Sequence, residues 1–442
     1  MGFAEQNPRL ASLIERDKAA VWHPFSHASL EGPPISVKRA RGSWLIAEDG
    51  RHYLDAVSSW WVNTHGHCNP VIAEAIAKQL YQLEHCIFAG FTHEPAVELA
   101  ELLLSILPEN QEKIFFSDNG STAVEVALKL AIQFNELRSN GDKEAKRRTL
   151  VRLSSSYHGD TVGAMSVSER DTFTAPFTDY LFEVAVIPTP TEDNISEVTS
   201  QFELLCSKSD TLAFIFEPLI QGAGGMVMYS AEHLDRLFEI AKQHNVVLIA
   251  DEVMTGFGRT GTHFATLQTK HEPDILCLSK GITGGFLPLG ATSCSGEIVE
   301  AFHTPDRGKF FYHGHSYTGN PLACAAGVAS TKLLLEERCQ ERIAKIQELH
   351  TVAIKDFSSC PGLTRARVTG TVLAVDIDCG EDSYYLNPIR DKLYTFFLER
   401  GILLRPLGNV VYILPPYCFT DSELGSCYQA IAEAGREFGK AA

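Results

Sequence analysis

Short apolar runs that stop on polar residues recur through the middle of the chain, at 149–153, 211–216, 246–250 and 274–278. Runs of this length without alternation fit strands buried on both faces, as in a parallel sheet covered by helices. Stretches of helical spacing such as 232–244 separate them. Alternating strands and helices predict a doubly wound, mostly parallel sheet over about residues 66–330. Helix starts are marked by Asn69-Pro70, which opens an amphipathic stretch to His85, and by Asn320-Pro321 and Asn387-Pro388. In each the asparagine caps and the proline fills the first helical position; Gly401 closes the third helix. The flanks read differently. Residues 32–55 predict a small antiparallel meander turning at Gly42-Ser43 and Glu48-Asp49-Gly50, and residues 331–442 mix helices with strands at 372–375 and 410–414. The expected organisation is a large α/β domain at 66–330, with 1–65 and 331–442 forming a smaller α+β lobe from both chain ends.

Composition narrows the function. Of 442 residues, 45% are hydrophobic and 21% charged, which is globular rather than disordered. The formal charge of −17 opposes attraction to nucleic acid or anionic lipid, so neither is an expected partner. No window has the length of uninterrupted apolar sequence that a membrane span needs, and the polar start, Met1 to Arg9, has no signal segment, so a cytoplasmic location is expected. Eleven cysteines are scattered without a C-x-x-C pair, which predicts reduced, buried thiols rather than disulfides or a zinc ribbon. The charge run 142–148 reads as a solvated loop.

Ligands of an open parallel sheet sit beyond the carboxyl ends of its strands. The residues expected there are Glu217, Asp251 with Glu252, and Lys280. An acid after the 246–250 run would suit a magnesium-binding nucleotide hydrolase, but the chain has no G-x-x-x-x-G-K-[ST] phosphate loop. Gly256-Phe-Gly258-Arg-Thr-Gly261 spells G-x-G-x-x-G, yet it does not directly follow the strand, and Lys280-Gly281 stands where a ribose-binding acid belongs. It reads instead as a glycine-rich turn presenting Arg259. Acid and lysine on neighbouring strand ends suit Schiff-base catalysis with pyridoxal phosphate, the acid keeping the pyridine nitrogen protonated. A lone lysine after a strand is usually a surface residue; Gly281, Gly284 and Gly285 around Lys280 let a ligand approach the backbone closely. Ser117-Asp-Asn-Gly120-Ser121-Thr122 precedes a helical run, 123–137, whose start could hold phosphate, and Thr122-x-x-Glu125 reads as a capping box.

Six segments in order, S-D-N-G-S-T-A-V-E, Y-H-G-D, F-E-P, A-D-E-V-M-T-G-F-G-R-T-G, L-S-K-G and H-G-H-S-Y-T-G-N-P, resemble a class III aminotransferase of the fold-type I pyridoxal-phosphate enzymes over nearly the whole chain. The resemblance implies that Lys280 forms the Schiff base, Asp251 pairs with the pyridine nitrogen and the Gly120-Ser121 backbone holds the phosphate. Tyr157 would stack on the ring, Glu217 would support the pyridine side, and Ser316 would reach the phosphate from a neighbouring subunit, which implies a homodimer. Asp160 would support the site by hydrogen bonding.

Trp22-His-Pro-Phe25, Ser58-Ser-Trp60-Trp61 with His65-Gly-His67, and Leu404-Arg405-Pro-Leu-Gly408 followed by Tyr412-Ile-Leu-Pro-Pro-Tyr417 resemble the biotin-pathway branch, the 7,8-diaminopelargonate synthases. That implies amino transfer from S-adenosylmethionine onto 8-amino-7-oxononanoate. A long apolar acceptor with a terminal carboxylate needs an aromatic wall, offered by Trp60 and Trp61, and a cation, offered by Arg405. Phe25, Gly314 and Tyr412 complete the expected substrate pocket. Two departures stand out: Phe25 where many members carry tyrosine, and His315-Ser316 where they carry proline-threonine. Ser316 keeps the hydroxyl, whereas Phe25 loses one; members with this pattern accept lysine as donor, which keeps lysine open beside S-adenosylmethionine. Another class III enzyme acting on ω-amino acids or diamines is the nearest rival, opposed by the tryptophan pair. The H-G-H spacings at His65, His67, His313 and His315 lack carboxylate or cysteine at ligand spacing, so backbone hydrogen bonding and no metal are expected.

Overall fold

The computed structural model describes residues 12–26, 34–139, 147–380 and 387–440. Its centre is a seven-stranded sheet in the order Gln111–Ser117, Gly290–Ser295, Ile275–Leu278, Val247–Asp251, Thr211–Phe216, Thr149–Leu153, Ala185–Ile187. All pairings from Ile275–Leu278 to Ala185–Ile187 are parallel; Gly290–Ser295 runs antiparallel to both its neighbours. The sheet is mostly parallel, as expected, with one reversed strand.

Its strands are buried on both faces because successive side chains alternate between two cores. Ala213 and Ile215 pack with Val124, Ala127 and Ala131 of the helix Gly120–Arg138. Phe214 and Phe216 pack on the other face with Phe202 and Phe238, ring centroids about 5.0 Å apart along the series. A helix covers each face, so no polar alternation is left in the sequence.

The chain ends meet in a separate four-stranded sheet, ordered Val37–Arg41, Trp44–Ala47, His52–Asp55, Ile402–Leu403. The first three form the expected meander; the last pairs in parallel, Ile402 with Leu54 and Leu403 with Asp55. Leu363–Thr369, Val372–Ile377 and Val410–Ile413 make a further antiparallel sheet.

Several expectations are corrected. The helix capped by Asn69 ends at Leu80 rather than His85, where Gln79 Nε2 donates to the Leu83 carbonyl at 2.9 Å. The helix Gly120–Arg138 is capped by Asn119, not Thr122: Asn119 Oδ1 accepts from Thr122 N at 3.0 Å, and Thr122 Oγ1 accepts from Asn119 N at 3.1 Å. Glu125 instead accepts from Gly163 N at 2.8 Å and Ala164 N at 3.2 Å. Of the charge run, residues 142–146 lie outside the described residues, and Arg147 turns inward to the carbonyls of Thr211, His244 and Asn245. All eleven cysteines are free, but five are buried, four are half-buried, and Cys68 and Cys418 are exposed.

Candidate active site

The carboxyl ends of the parallel strands open on a cavity of about 610 Å³ lined by Gly120, Ser121, Tyr157, Glu217, Asp251 and Lys280 among others. Eight of the site residues expected from the sequence thus share one space, since Trp61 and Asp160 line it as well. Asp251 closes its strand and is nearly buried; its Oδ1 accepts from Val253 N at 3.0 Å, and its Oδ2 lies 2.7 Å from His158 Nδ1. His158 Nε2 is buried without a hydrogen-bond partner. His158 was legible only as part of Tyr157-His-Gly-Asp160; its contact with Asp251 spans 93 residues of sequence and leaves no local signal.

Glu217 sits behind this pair. Its Oε1 accepts from Tyr157 N at 3.0 Å and its Oε2 from Gly222 N at 2.9 Å, while its own carbonyl takes the Tyr229 hydroxyl. Burial raises its pKa to about 7; His158 opposes the rise and Asp251 adds to it. Lys280 follows its strand with φ 47°, a left-handed conformation that side chains seldom adopt. Burial lowers its pKa to about 8 against the pull of Asp251 and Glu217, which puts an appreciable neutral amine fraction within reach of neutral pH.

At the helix start, Gly120 and Ser121 line the cavity in the turn whose N–H groups have no intrahelical acceptor. Space there is tight: a Cβ at Gly120 would come within 2.7 Å of Val253 Cγ1, and one at Gly159 would collide with Ser121 Oγ. Ser121 Oγ accepts from Asp160 N at 3.1 Å. Burial first, then the charge and hydrogen bond of Asp160, keep the Tyr157 hydroxyl protonated well above its usual range. A buried acid, an orphaned imidazole nitrogen, a neutral-leaning lysine and a glycine-lined anion cradle fit pyridoxal phosphate.

Trp61 lines the cavity as part of a second group whose other expected members, Phe25, Trp60, Arg405 and Tyr412, lie outside its lining. Ser58, Ser59, Trp60 and Trp61 have φ of 52°, 45°, 69° and 76°, four consecutive left-handed residues without a glycine. Each such residue costs roughly 1–2 kcal/mol. The turn lays Trp61 over Lys280, its ring centroid 4.5 Å from Nζ, and Trp61 Nε1 donates to the Tyr412 hydroxyl at 3.0 Å. Trp60 faces the other way: the Arg405 guanidinium lies 4.4 Å from its ring centroid and Phe25 5.3 Å, with Phe173 5.9 Å beyond Phe25. Phe173 escaped the sequence reading because it comes from an unrelated segment. Gly314 and Ser316 are exposed on the stretch after Phe311 and do not line the cavity within one chain.

Arg259 is buried rather than presented, donating to Pro415 O at 2.6 Å and Asn63 O at 3.2 Å. Among the described residues no cluster of three or more His, Cys, Asp or Glu is arranged to hold a metal. His65 bonds the Ser330 backbone and His315 Nδ1 accepts from Tyr317 N, as expected of backbone partners. His67 and His313 depart from that expectation, meeting the side chains of Asp55 and Lys129.

Comparison with known proteins agrees with this geometry. The family model for class III aminotransferases matches residues 26–434. The adenosylmethionine-8-amino-7-oxononanoate aminotransferase of Synechococcus elongatus is 45% identical, covering 93% of this chain and 97% of its own; that of Mycobacterium leprae is 37% identical, covering 94% and 95%. Among solved structures, the enzyme of the same name from Methanocaldococcus jannaschii superposes with a TM-score of 0.90 at 35% identity, over 96% of this chain and 99% of that one. The omega transaminase of Pseudomonas jessenii in complex with PMP also gives 0.90, at 25% identity, over 97% and 98%. Similarity along the whole chain, joined to a lysine and an acid on adjacent strand ends, makes this protein a member of the class III aminotransferase family.

Proposed function

We propose that the protein transfers an amino group to 8-amino-7-oxononanoate, giving 7,8-diaminononanoate, with pyridoxal phosphate as cofactor and S-adenosylmethionine as donor. The observation that carries the acceptor is the Arg405–Trp60 stack beside the Trp61–Lys280 contact. In this reading the guanidinium beside Trp60 would take the acceptor's carboxylate, while the amine lies under the neighbouring Trp61. The names of the relatives at 45% and 37% identity support the same substrate.

Bound in the cavity, the cofactor supplies a ring that accepts negative charge from the substrate carbon. Asp251, steadied by His158, would keep the proton on the pyridine nitrogen. The N–H groups of Gly120 and Ser121 would hold the phosphate, and Tyr157 would lie against the ring. With its pKa lowered to about 8, Lys280 would serve as the general base that takes the proton from the substrate's Cα. The acceptor then enters with its carboxylate on Arg405, and Lys280 returns the proton in the reverse sense, completing a ping-pong cycle.

A homodimer completes the site in this reading. Tyr81, Ile87, Phe91, Tyr312 and Tyr317 are 91%, 60%, 65%, 70% and 64% exposed, an apolar surface that suits a second copy. Ser316 and Gly314 lie on the same stretch as Tyr312 and Tyr317 and in such a dimer would reach the neighbouring active site.

Phe25, packed on Trp60 without a hydroxyl, supports lysine as the alternative donor. The test is the absorbance of the cofactor-loaded protein after adding S-adenosylmethionine or lysine separately, without acceptor. Conversion of the cofactor to its amine form by S-adenosylmethionine is expected; conversion by lysine alone reassigns the donor. Failure of 8-amino-7-oxononanoate to restore the starting spectrum overturns the acceptor.

A further inference from the structure

The turn that displays the two tryptophans cannot hold its own shape. Residues 58–61 have φ between 45° and 76°, a region that glycine enters freely and serine and tryptophan do not. Such conformations persist where surrounding contacts over-determine them. Ser58 Oγ donates to Leu414 O at 2.7 Å, and the contacts at Ser59 converge on Asp55, which is fully buried. Its Oδ1 accepts from Ser59 N at 2.9 Å; its Oδ2 accepts from Ser59 Oγ at 2.7 Å and meets His67 Nε2 at 2.8 Å.

His67 is oriented in turn. Asn63 Nδ2, which can only donate, lies 3.0 Å from His67 Nδ1, so Nδ1 accepts and the ring proton is on Nε2, facing Asp55. Asn63 is itself fixed, its Oδ1 accepting from Gly66 N at 2.8 Å and its carbonyl from buried Arg259 at 3.2 Å. Trp61 has a hydrogen-bonded anchor in the Tyr412 hydroxyl, whereas Trp60 has only its packing on Arg405 and Phe25 beside the backbone of the turn.

We propose that Asp55 and His67 are positioning residues for the acceptor: they clamp the left-handed turn at Ser59, so that Trp60 stays stacked on Arg405. The proposal rests on the reading of Trp60 and Arg405 as the acceptor wall. It assigns the pair an effect on acceptor affinity and leaves proton transfer at Lys280 untouched, because Trp61 keeps its own anchor.

The test compares holoenzymes carrying Asp55→Asn, His67→Ala, His67→Gln, Ser59→Gly and the double variant Asp55→Asn/Ser59→Gly. Asp55→Asn is expected to raise the acceptor KM about tenfold or more, while the saturated rate of the donor half-reaction, followed by cofactor absorbance, stays within about threefold. Near-ultraviolet circular dichroism of the tryptophans should change in the same variant. Glycine at 59 adopts the turn without strain, so the double variant should return the KM to within about threefold of Ser59→Gly alone. His67→Gln, which can still donate to Asp55, should stay near wild type where His67→Ala does not. If Asp55→Asn does not fold, the two His67 variants read the same split. An unmoved acceptor KM, equal damage to both half-reactions, or no rescue by Ser59→Gly overturns the clamp. A wild-type enzyme that does not use the acceptor at all overturns the functional reading instead, and the dichroism still decides whether the pair holds the turn.

Discussion

Replacing Glu217 by glutamine separates the electrical cost of that carboxylate from its structural use. Burial raises its pKa from an ordinary 4.5 to about 7. The fold therefore favours the protonated acid: its contribution is fully present below about pH 4.5 and is lost as pH rises through 7. At about 1.4 kcal/mol for each pH unit of displacement, the whole loss is about 3 kcal/mol, most of it between pH 5 and pH 8. Unfolding entropy of about 2.1 cal/mol/K per residue makes this about 3 °C of Tm for a chain of 442 residues. Glutamine is neutral throughout and has one carbonyl oxygen, so it can serve Tyr157 N or Gly222 N but not both. That adds a penalty of about 1–3 kcal/mol, the same at every pH. The observable is therefore the difference between the two Tm curves of the cofactor-free proteins, which should shift by about 3 °C in favour of Glu217→Gln from pH 5 to pH 8. Scanning fluorimetry resolves this. Parallel curves would refute the buried, proton-retaining carboxylate. The same variant removes a negative charge that supports the Lys280 ammonium, so the lysine's pKa should move below 8.

Cofactor capture by the cofactor-free wild type should accelerate with pH and level off above about 8, as Lys280 becomes neutral; a rate still climbing at pH 10 would assign the lysine an ordinary pKa. Lys280→Ala should end multiple turnover, and retained steady-state activity would remove Lys280 from its role. Arg405→Ala deletes a charge-assisted contact of about 1.5–3 kcal/mol, or roughly 10- to 150-fold in acceptor KM. Steady-state kinetics against single-turnover donor reactions tests this, and equal loss in both would make Arg405 structural.

The strands at Thr149–Leu153 and Thr211–Phe216 were legible to the residue because helices on both faces demand continuous apolar sequence. Gly290–Ser295 was not, although it is fully buried. Its side chains are small and hydroxylic, and burial is tolerated because Thr292 Oγ1 donates to Ala123 O at 2.9 Å and Ser293 Oγ to Gln111 Oε1 at 2.6 Å. Those partners are remote in sequence. The lysine and the acid could be read from strand ends once Gly281, Gly284 and Gly285 were weighed with them, but the cap of the phosphate-side helix could not: Asn119 and Thr122 both offer side-chain oxygens, and Gly163 and Ala164 claim Glu125 from another segment. The left-handed course of residues 58–61 had no glycine to announce it, since tertiary contacts impose it.

The pairing of Ile402–Leu403 with His52–Asp55 ties the order in which the protein becomes competent to the direction of its synthesis. Asp251 and Lys280 belong to a sheet whose last strand is made by residue 295. Ser58 must wait for the carbonyl of Leu414, Trp61 for the hydroxyl of Tyr412 and Trp60 for Arg405. A nascent chain that has not reached residue 402 thus lacks the Arg405 and Tyr412 partners of both tryptophans. Loss of the carboxyl-terminal strands would also take Pro415 from buried Arg259 and Tyr417 from Phe257, so the site and its wall stand on one core.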